Sequence, residues 1–326
     1  MKATLFINPA SGNPAESAVQ LVELLRHLNA QNIQPEVVLV QPEMRLSILA
    51  RSAVRKGAKL VIVSGGDGTI ENVALGMVGS SATLGIVPTG TRNNLARSLG
   101  IPANDIPAAA ELLRKGRRIK IDVGLLRTRQ SKRYFLEAGS VGLASAIYPT
   151  ADDIQHGDLG KIPEFISTFV SHNPSEIHLR LDHHRAEIIT HAHMVLVANM
   201  PFMGANFQIA PDIVYDDRHL DIFVYSNLSK LDLIGQAIQL TTGASDASRI
   251  QRYRSRKIEI TTNPEMTIMA DGVMLGEGPV SITLLPHALK VIAGLPAAVE
   301  EPAKQEIPQP EPVAAEPALK ALEDGH

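Results

Sequence analysis

The chain has 326 residues, long for one domain and comfortable for two, each large enough to bury a core. Aromatics make up 4%, Trp is absent and the net charge is −3, which excludes a stacking platform for single strands and disfavours a phosphate backbone as the main partner. The lack of Cys excludes disulfides, thiolate metal sites and a cysteine nucleophile.

The N-terminal apolar run, Ala3 to Ile7, is too short for a signal-peptide core, and no later run reaches the roughly 18 apolar residues of a membrane span. The expectation is a cytoplasmic protein, with peripheral contact at the inner membrane surface. "ATLFI" reads as a buried strand. A helix follows from about Pro14, with Asn13 as N-cap, Glu16 closing a capping box, and Val19, Val22, Leu25 and Leu28 at helical spacing. Strand "EVVLV", a helix over 46–56 stopped by Gly57, strand "KLVIV" and a helix after Thr69 stopped near Gly79 come next. Strand "TLGIV", a helix through Asn94 ending at Gly100, a helix ending at Gly116 and strand "IKIDV" complete this part. Short apolar strands alternating with capped helices predict a parallel sheet covered on both faces.

After Gly124 the pattern turns to strands of period two: "GLLRTR", "RYFLEAG", "EIHLRLD", "AEIITHAHMVLVAN", "HLDIFVY", "RKIEITT" and "VSITLL". Helical stretches interrupt them at 159–170 and 231–240. The fold expected is α/β plus β: a Rossmann-like parallel α/β domain over 1–124 and an antiparallel β-sandwich domain over 125–295. From 296 to 326 Pro, Ala and Glu dominate, and the segment reads as a disordered tail.

The turn "SGGDGT" ends a predicted parallel strand and opens a helix, the crevice edge where open α/β sheets bind ligands. Gly65, Gly66 and Gly68 let a ligand approach the main chain, the helix N-terminus favours an anion, and Thr69 adds a hydroxyl. Asp67 can hold Mg²⁺ or orient its waters. Phosphate is the natural occupant. "INPASG", with Asn8 and Ser11, and "VPTGTRNN", with Gly90 and Thr91, reach the same edge.

These motifs, with "FLEAGSVGL", "VANMPFMGANFQIAPDIVYDDRHLDI" and "ADGVMLGEGPVSITLLPHALKVI", resemble the diacylglycerol kinase catalytic-domain superfamily across residues 3 to 293. GGDGT alone is shared with NAD kinases and phosphofructokinases; the later motifs favour lipid kinases. The resemblance implies ATP- and Mg²⁺-dependent phosphorylation of a lipid hydroxyl, with the lipid presented at a membrane surface, no nucleic-acid partner and a homodimer left open. It implies nucleotide contacts from Gly65 through Ile70 and Glu71, joined by Asn8 and Thr91. Asp67 and Asp122 would serve the catalytic Mg²⁺ network, and Asp217 with the carbonyls of Val214 and His219 an accessory metal site.

The family's "DGE" reads Asp271-Gly272-Val273 here, so the Glu that would take the hydroxyl proton is replaced by a side chain that cannot. General-base help is worth about 10²- to 10⁴-fold. Asp271 and Glu277 are the substitutes within the motif; Asp-Gly is also a hairpin-turn signal. Asn94 stands where many members carry Asp, Val40 near a common Thr, and Arg218 in place of a common Gly. The alternatives are a nucleotide- or lipid-binding pseudokinase and a kinase of a soluble acceptor such as NAD. His191 and His193 share a strand face, but zinc sites want a third ligand, and they read as surface or interface histidines.

Overall fold

The computed structural model describes residues 2–11, 17–155, 158–182, 187–203, 207–226 and 250–295. The expected cap at Asn13 to Glu16, the helix over 231–240 and the tail over 296–326 lie outside those residues.

In the first half, strands β1 (Ala3–Ile7), β2 (Pro35–Leu39), β3 (Leu60–Gly65) and β4 (Thr83–Pro88) alternate with helices α1 (Ser17–Ala30), α2 (Leu46–Arg55) and α3 (Asp67–Met77). Helices α4 (Asn94–Ser98) and α5 (Ile106–Lys115) follow. The strands form a parallel sheet in the order β2-β1-β3-β4. Every residue of β3 is buried, and its alternation feeds two cores. Leu60 and Ile62 join Leu24, Leu28 and Leu113 on one face, while Val61 and Val63 join Ile70, Val73 and Ile86 on the other. Each such side chain contributes about 1.5–3 kcal/mol of transfer free energy. Edge strand β2 leaves Val37 and Leu39 exposed. In α1 the core face is Leu21, Leu24, Leu25 and Leu28, whereas Val19 and Val22 face solvent. The expected stripe therefore holds at Leu25 and Leu28 but not at Val19 and Val22, where Leu21 and Leu24 take the core face instead.

The second half opens with β5 (Arg117–Arg127), β6 (Lys132–Phe135), β7 (Ala138–Gly142), α6 (Leu143–Gln155) and α7 (Ile162–Ser171). Strands β8 (Ser175–Leu181), β9 (Ile188–Ala198), β10 (Phe202–Met203), β11 (Phe207–Gln208) and β12 (Leu220–Ser226) follow. The described chain closes with β13 (Gln251–Ser255), β14 (Lys257–Asn263), β15 (Thr267–Ala270), β16 (Val273–Glu277) and β17 (Val280–Ala293). These strands pair antiparallel in the order β16-β15-β7-β9-β8-β14-β17, with β12 and β13 off β9. They enclose a core that includes Leu126, Phe135, Val195, Ile222 and Ile282.

Two strands join the halves. β17 is antiparallel to β5 and β14, and its Lys290 and Val291 run parallel to Thr83 and Leu84 of β4. β5 passes through Gly124 without a break, so the expected strands "IKIDV" and "GLLRTR" are one. A Cβ at Gly124 would lie 2.0 Å from the Phe135 ring, so this glycine seats an aromatic rather than ending a strand.

Candidate active site

Three turns meet at the carboxyl edge of the parallel sheet. The Asn8 N–H donates to the Ser64 carbonyl at 2.9 Å, and Asn8 Nδ2 donates to Thr69 Oγ1 at 2.9 Å. The Gly66 N–H donates to Ser11 Oγ at 3.1 Å. Gly66 and Gly90 touch main chain to main chain: a Cβ on Gly90 would stand 2.5 Å from the Gly66 Cα. α3 starts at Asp67, two residues earlier than Thr69, with Gly65 ending β3, Gly66 as N-cap and Gly68 in the first turn of the helix. Its N-terminal N–H groups and dipole face the edge.

Asp67 uses both carboxylate oxygens as a clamp. Oδ2 accepts from the Asn93 N–H at 2.9 Å and Oδ1 from the Asn94 N–H at 2.8 Å. The clamp holds Asn93 in the left-handed region, φ 53°, and starts α4. Ile70 is fully buried in the core, so only its main chain could reach a ligand. Thr91 is exposed and lines neither cleft described below.

Two clefts open at this edge. The outer one, about 630 Å³, lies between the turns and α2 and is lined by Asn8, Ser11, Val40, Arg45, Gly66 and Thr69. The inner one, about 320 Å³, runs under the second half. Asp67, Gly68 and Asn72 line both. The inner cleft has an apolar wall of Tyr148, Leu196, Met203, Met269 and Val273, and an acidic floor of Asp67, Glu71, Glu137 and Asp271.

The floor is electrostatically tense. Arg133 Nη2 donates to Glu71 Oε1 at 2.6 Å, and the pair is mostly buried. Burial, then the Asp271 charge, pushes the Glu71 carboxyl up to about 8 against the pull of Arg133. Burial raises Asp271 to about 6, restrained by main-chain donors: Leu136 N–H to Oδ2 at 2.6 Å, and Glu137 and Ala138 N–H to Oδ1, both at 3.0 Å. Glu137 is held well above the usual glutamate range by burial and by the charges of Asp271, Asp67 and Glu71. Its Oε2 accepts from Asn94 Nδ2 at 3.3 Å.

Among the described residues no three His, Asp or Glu side chains converge on one ion position. The donor set therefore fits a Mg²⁺ carried on nucleotide phosphates with one or two carboxylates and water, not an all-protein cage. The buried Arg133 Nε, without a hydrogen-bond partner among the described residues, suits an anionic ligand.

A family model for the diacylglycerol kinase catalytic domain matches residues 2–126, and one for the YegS C-terminal NAD kinase beta sandwich-like domain matches residues 140–293. The chain belongs to the diacylglycerol kinase catalytic-domain family. It is 27% identical over 297 residues to a diacylglycerol kinase of Mycobacterium tuberculosis, covering 89% of this chain and 94% of that one. A diacylglycerol kinase of Bacillus subtilis is 25% identical over 279 residues, covering 83% and 89%. The crystal structure of a diacylglycerol kinase from Bacillus anthracis shares the fold, with a TM-score of 0.71 at 22% identity over 91% of this chain and 98% of that one. A Rossmann-like domain followed by a β-sandwich domain is thus the family's architecture here.

Three expected groups sit in surroundings that the sequence did not indicate. Asp122 is fully buried and lines neither cleft; its oxygens accept from the main-chain N–H groups of Arg218 at 2.7 Å and His287 at 2.6 Å. It anchors the loops that carry Arg218 and His287. Val214 and Asp217 line a surface cleft without His219, whose N–H donates to Asp217 Oδ1 at 2.9 Å. Asp217 Oδ2 accepts from the Arg254 guanidinium. His191 is exposed but His193 is buried, its ring centroid 5.8 Å from that of His172, so the two do not make a surface pair.

Asp271-Gly272 is the hairpin turn its dipeptide signals, with φ of 42° and 74° and Ala270 opposite Val273. Val273 lines the inner cleft at its rim and is 39% exposed. Sequence reasoning assigned no role to Glu137, although it lies inside the quoted "FLEAGSVGL", or to Arg45, which directly precedes the helix expected from 46.

Proposed function

We propose that the chain is an ATP- and Mg²⁺-dependent lipid kinase that transfers the γ-phosphate of ATP to a hydroxyl of diacylglycerol or a sphingoid base. The observation that carries this reading is the pair of clefts sharing one edge at Asp67, Gly68 and Asn72. The outer cleft suits a nucleotide, its phosphates against the Gly65–Glu71 turn and Asn8, with Arg45 adding charge. The inner cleft suits a lipid head, its hydroxyl toward the acidic floor and its chains along the apolar wall. Asp67 offers the carboxylate that a nucleotide-borne Mg²⁺ would share, and the ion would draw charge from the phosphate oxygens. Exposed Val273 and Met274 at the rim favour an acceptor presented at a membrane surface, from the cytoplasmic side. No helix among the described residues is long and apolar enough to cross a membrane.

The acidic floor disfavours NAD, whose phosphates would face Glu71, Glu137 and Asp271. Val273 at the base position favours the second reading, a pseudokinase that binds without transferring. γ-labelled ATP offered with diacylglycerol and a sphingoid base in mixed micelles, and with NAD in buffer, separates the readings. Labelled lipid is the expected product. ATP binding without labelled lipid would leave the pseudokinase, and label on NAD alone would sink the lipid assignment.

A further inference from the structure

The lipid-kinase reading leaves a proton without an acceptor, since position 273 holds Val. We propose that Glu137 is the general base that takes the proton of the acceptor hydroxyl, in place of the missing acid at 273. The inference rests on the lipid-kinase reading and identifies a catalytic residue of the same site.

The geometry selects Glu137 by exclusion among the acids of the inner cleft. Asp67 is occupied as a clamp on Asn93 and Asn94, and Asp271 as a clamp on three consecutive N–H groups of residues 136–138. Glu71 is tied to Arg133 at 2.6 Å. Glu277, the other substitute within the motif, is exposed at the far end of β16 opposite Thr267 and does not line the cleft. Glu137 alone meets a neutral side-chain donor, at the long distance of 3.3 Å.

Position supports the choice. Gly139 of β7 pairs with Ala270 of β15, and Ala270 pairs across the hairpin with Val273 of β16. Glu137, which directly precedes β7, and Val273, which opens β16, thus flank the Asp271 turn from opposite sides, with β7 and β16 about 10 Å apart, two strand spacings. Both line the same cavity. The Asp271 N–H donates to the Ala138 carbonyl at 3.0 Å, and the Asn199 and Met200 N–H groups donate to the Glu137 carbonyl at 2.9 and 3.1 Å, so the main chain of Glu137 is fixed on both sides. Burial and the negative charges of Asp271, Asp67 and Glu71 hold the carboxyl up, while Arg133 lines the same cleft; the upward direction is the one a base working near neutrality needs.

In the transfer, the acceptor oxygen forms a bond to the γ-phosphorus and its proton passes to a Glu137 carboxylate oxygen. The bond from the γ-phosphorus to the β–γ bridging oxygen breaks, and its electron pair leaves with the nucleoside diphosphate. Solvent later takes the proton from Glu137.

The test compares wild-type protein, Glu137→Gln, Glu137→Asp and Glu137→Gln/Val273→Glu in lipid phosphorylation, with ATP affinity read from a fluorescent ATP analogue and folding from thermal melts. Glu137→Gln should lose about 10²- to 10⁴-fold in kcat with unchanged ATP binding, the usual worth of a general base. Glu137→Asp should retain part of the rate, and the double variant should recover part of it through the restored acid at 273. A folded Glu137→Gln that transfers at the wild-type rate overturns the assignment while the lipid-kinase reading stands. Wild-type protein that binds ATP yet labels no lipid removes both together. If Glu137→Gln does not fold, loss in Glu137→Asp with a shifted pH profile still supports the base, and a wild-type rate and profile in it overturn the base.

Discussion

Replacing Gly90 by Ala probes how the nucleotide edge is built. The new methyl would stand 2.5 Å from the Gly66 Cα, 3.0 Å from Asn93 Oδ1 and 3.4 Å from the Gly66 nitrogen. Carbon atoms in contact prefer about 3.5–4.0 Å, so the two turns must part by about 1 Å. Neither is free to yield. Gly66 is held to Ser11 through its N–H, and the residue after it clamps Asn93 and Asn94. Overpacking of this kind costs about 1–3 kcal/mol, and a shift of about 1 Å in a positioning group lowers a rate about 10²-fold. The expected result is a lowered melting temperature with kcat/KM for ATP down about 10²-fold. Gly68→Ala is the control: a Cβ there meets nothing within 4 Å, so the fold should hold or gain about 0.5–1 kcal/mol of helix propensity while ATP binding alone weakens. Lipid phosphorylation over an ATP series, with melts of both variants, decides it. A Gly90→Ala protein with wild-type kcat and ATP KM would refute the claim that the two turns must touch to hold the phosphates.

Arg45 lines the outer cleft and is exposed, so Arg45→Ala should raise the ATP KM severalfold with little change in melting temperature, as titration of ATP would show. Arg254 holds Asp217 where a metal was expected, so the wild-type melting temperature should be indifferent to EDTA and Mg²⁺. Arg254→Ala should melt lower and recover part of the loss when Mg²⁺ is added. Glu71 and Asp271 are raised from 4.5 and 3.8 to about 8 and about 6, so the stability they contribute is full below about pH 4 and is lost as pH rises through 6 and then 8. Nucleotide-free protein should therefore melt lower at pH 8.5 than at pH 5.5, and Glu137→Gln should narrow that difference by removing one charge from the cluster.

Much of the first half was legible because its signals are local. Gly57 and Gly79, with φ of 95° and 77°, end helices where a left-handed residue is needed, and the apolar runs of β1, β3 and β4 are buried along their whole length. α6 was not legible: "LASAIYPTADDIQ" has Pro in its middle and no capped apolar stripe. Nor was the run of β5 through Gly124, since the Phe135 ring that explains the glycine comes from the next strand. The meeting of the three turns at one sheet edge could be read from three short motifs. The base could not, because what distinguishes Glu137 is its company: Asn94 lies 43 residues before it and Asp271 134 residues after it. Sequence spacing carries no trace of such a cluster.

The division of labour between Asp and Glu explains why the site could tolerate Val at 273. Asp67, Asp122 and Asp271 each spend both oxygens on main-chain N–H groups distant in sequence, Asp122 on two separate segments, at 2.6–3.0 Å. Asp182 does the same with one oxygen, for Arg256 and Lys257. Such charge-assisted bonds are strong, and they fix backbone rather than present a reactive group. Beside Asp67 and Asp271 on the cleft floor, the longer side chains of Glu71 and Glu137 make no such main-chain clamp. The Asp271 clamp grips residues 136–138, so it fixes the main chain from which Glu137 projects. An acid placed on that clamped segment needs no carboxylate two residues beyond the clamp. Loss of the motif's Glu and retention of its Asp are then consistent: position 271 keeps its structural task whichever side of the turn carries the base.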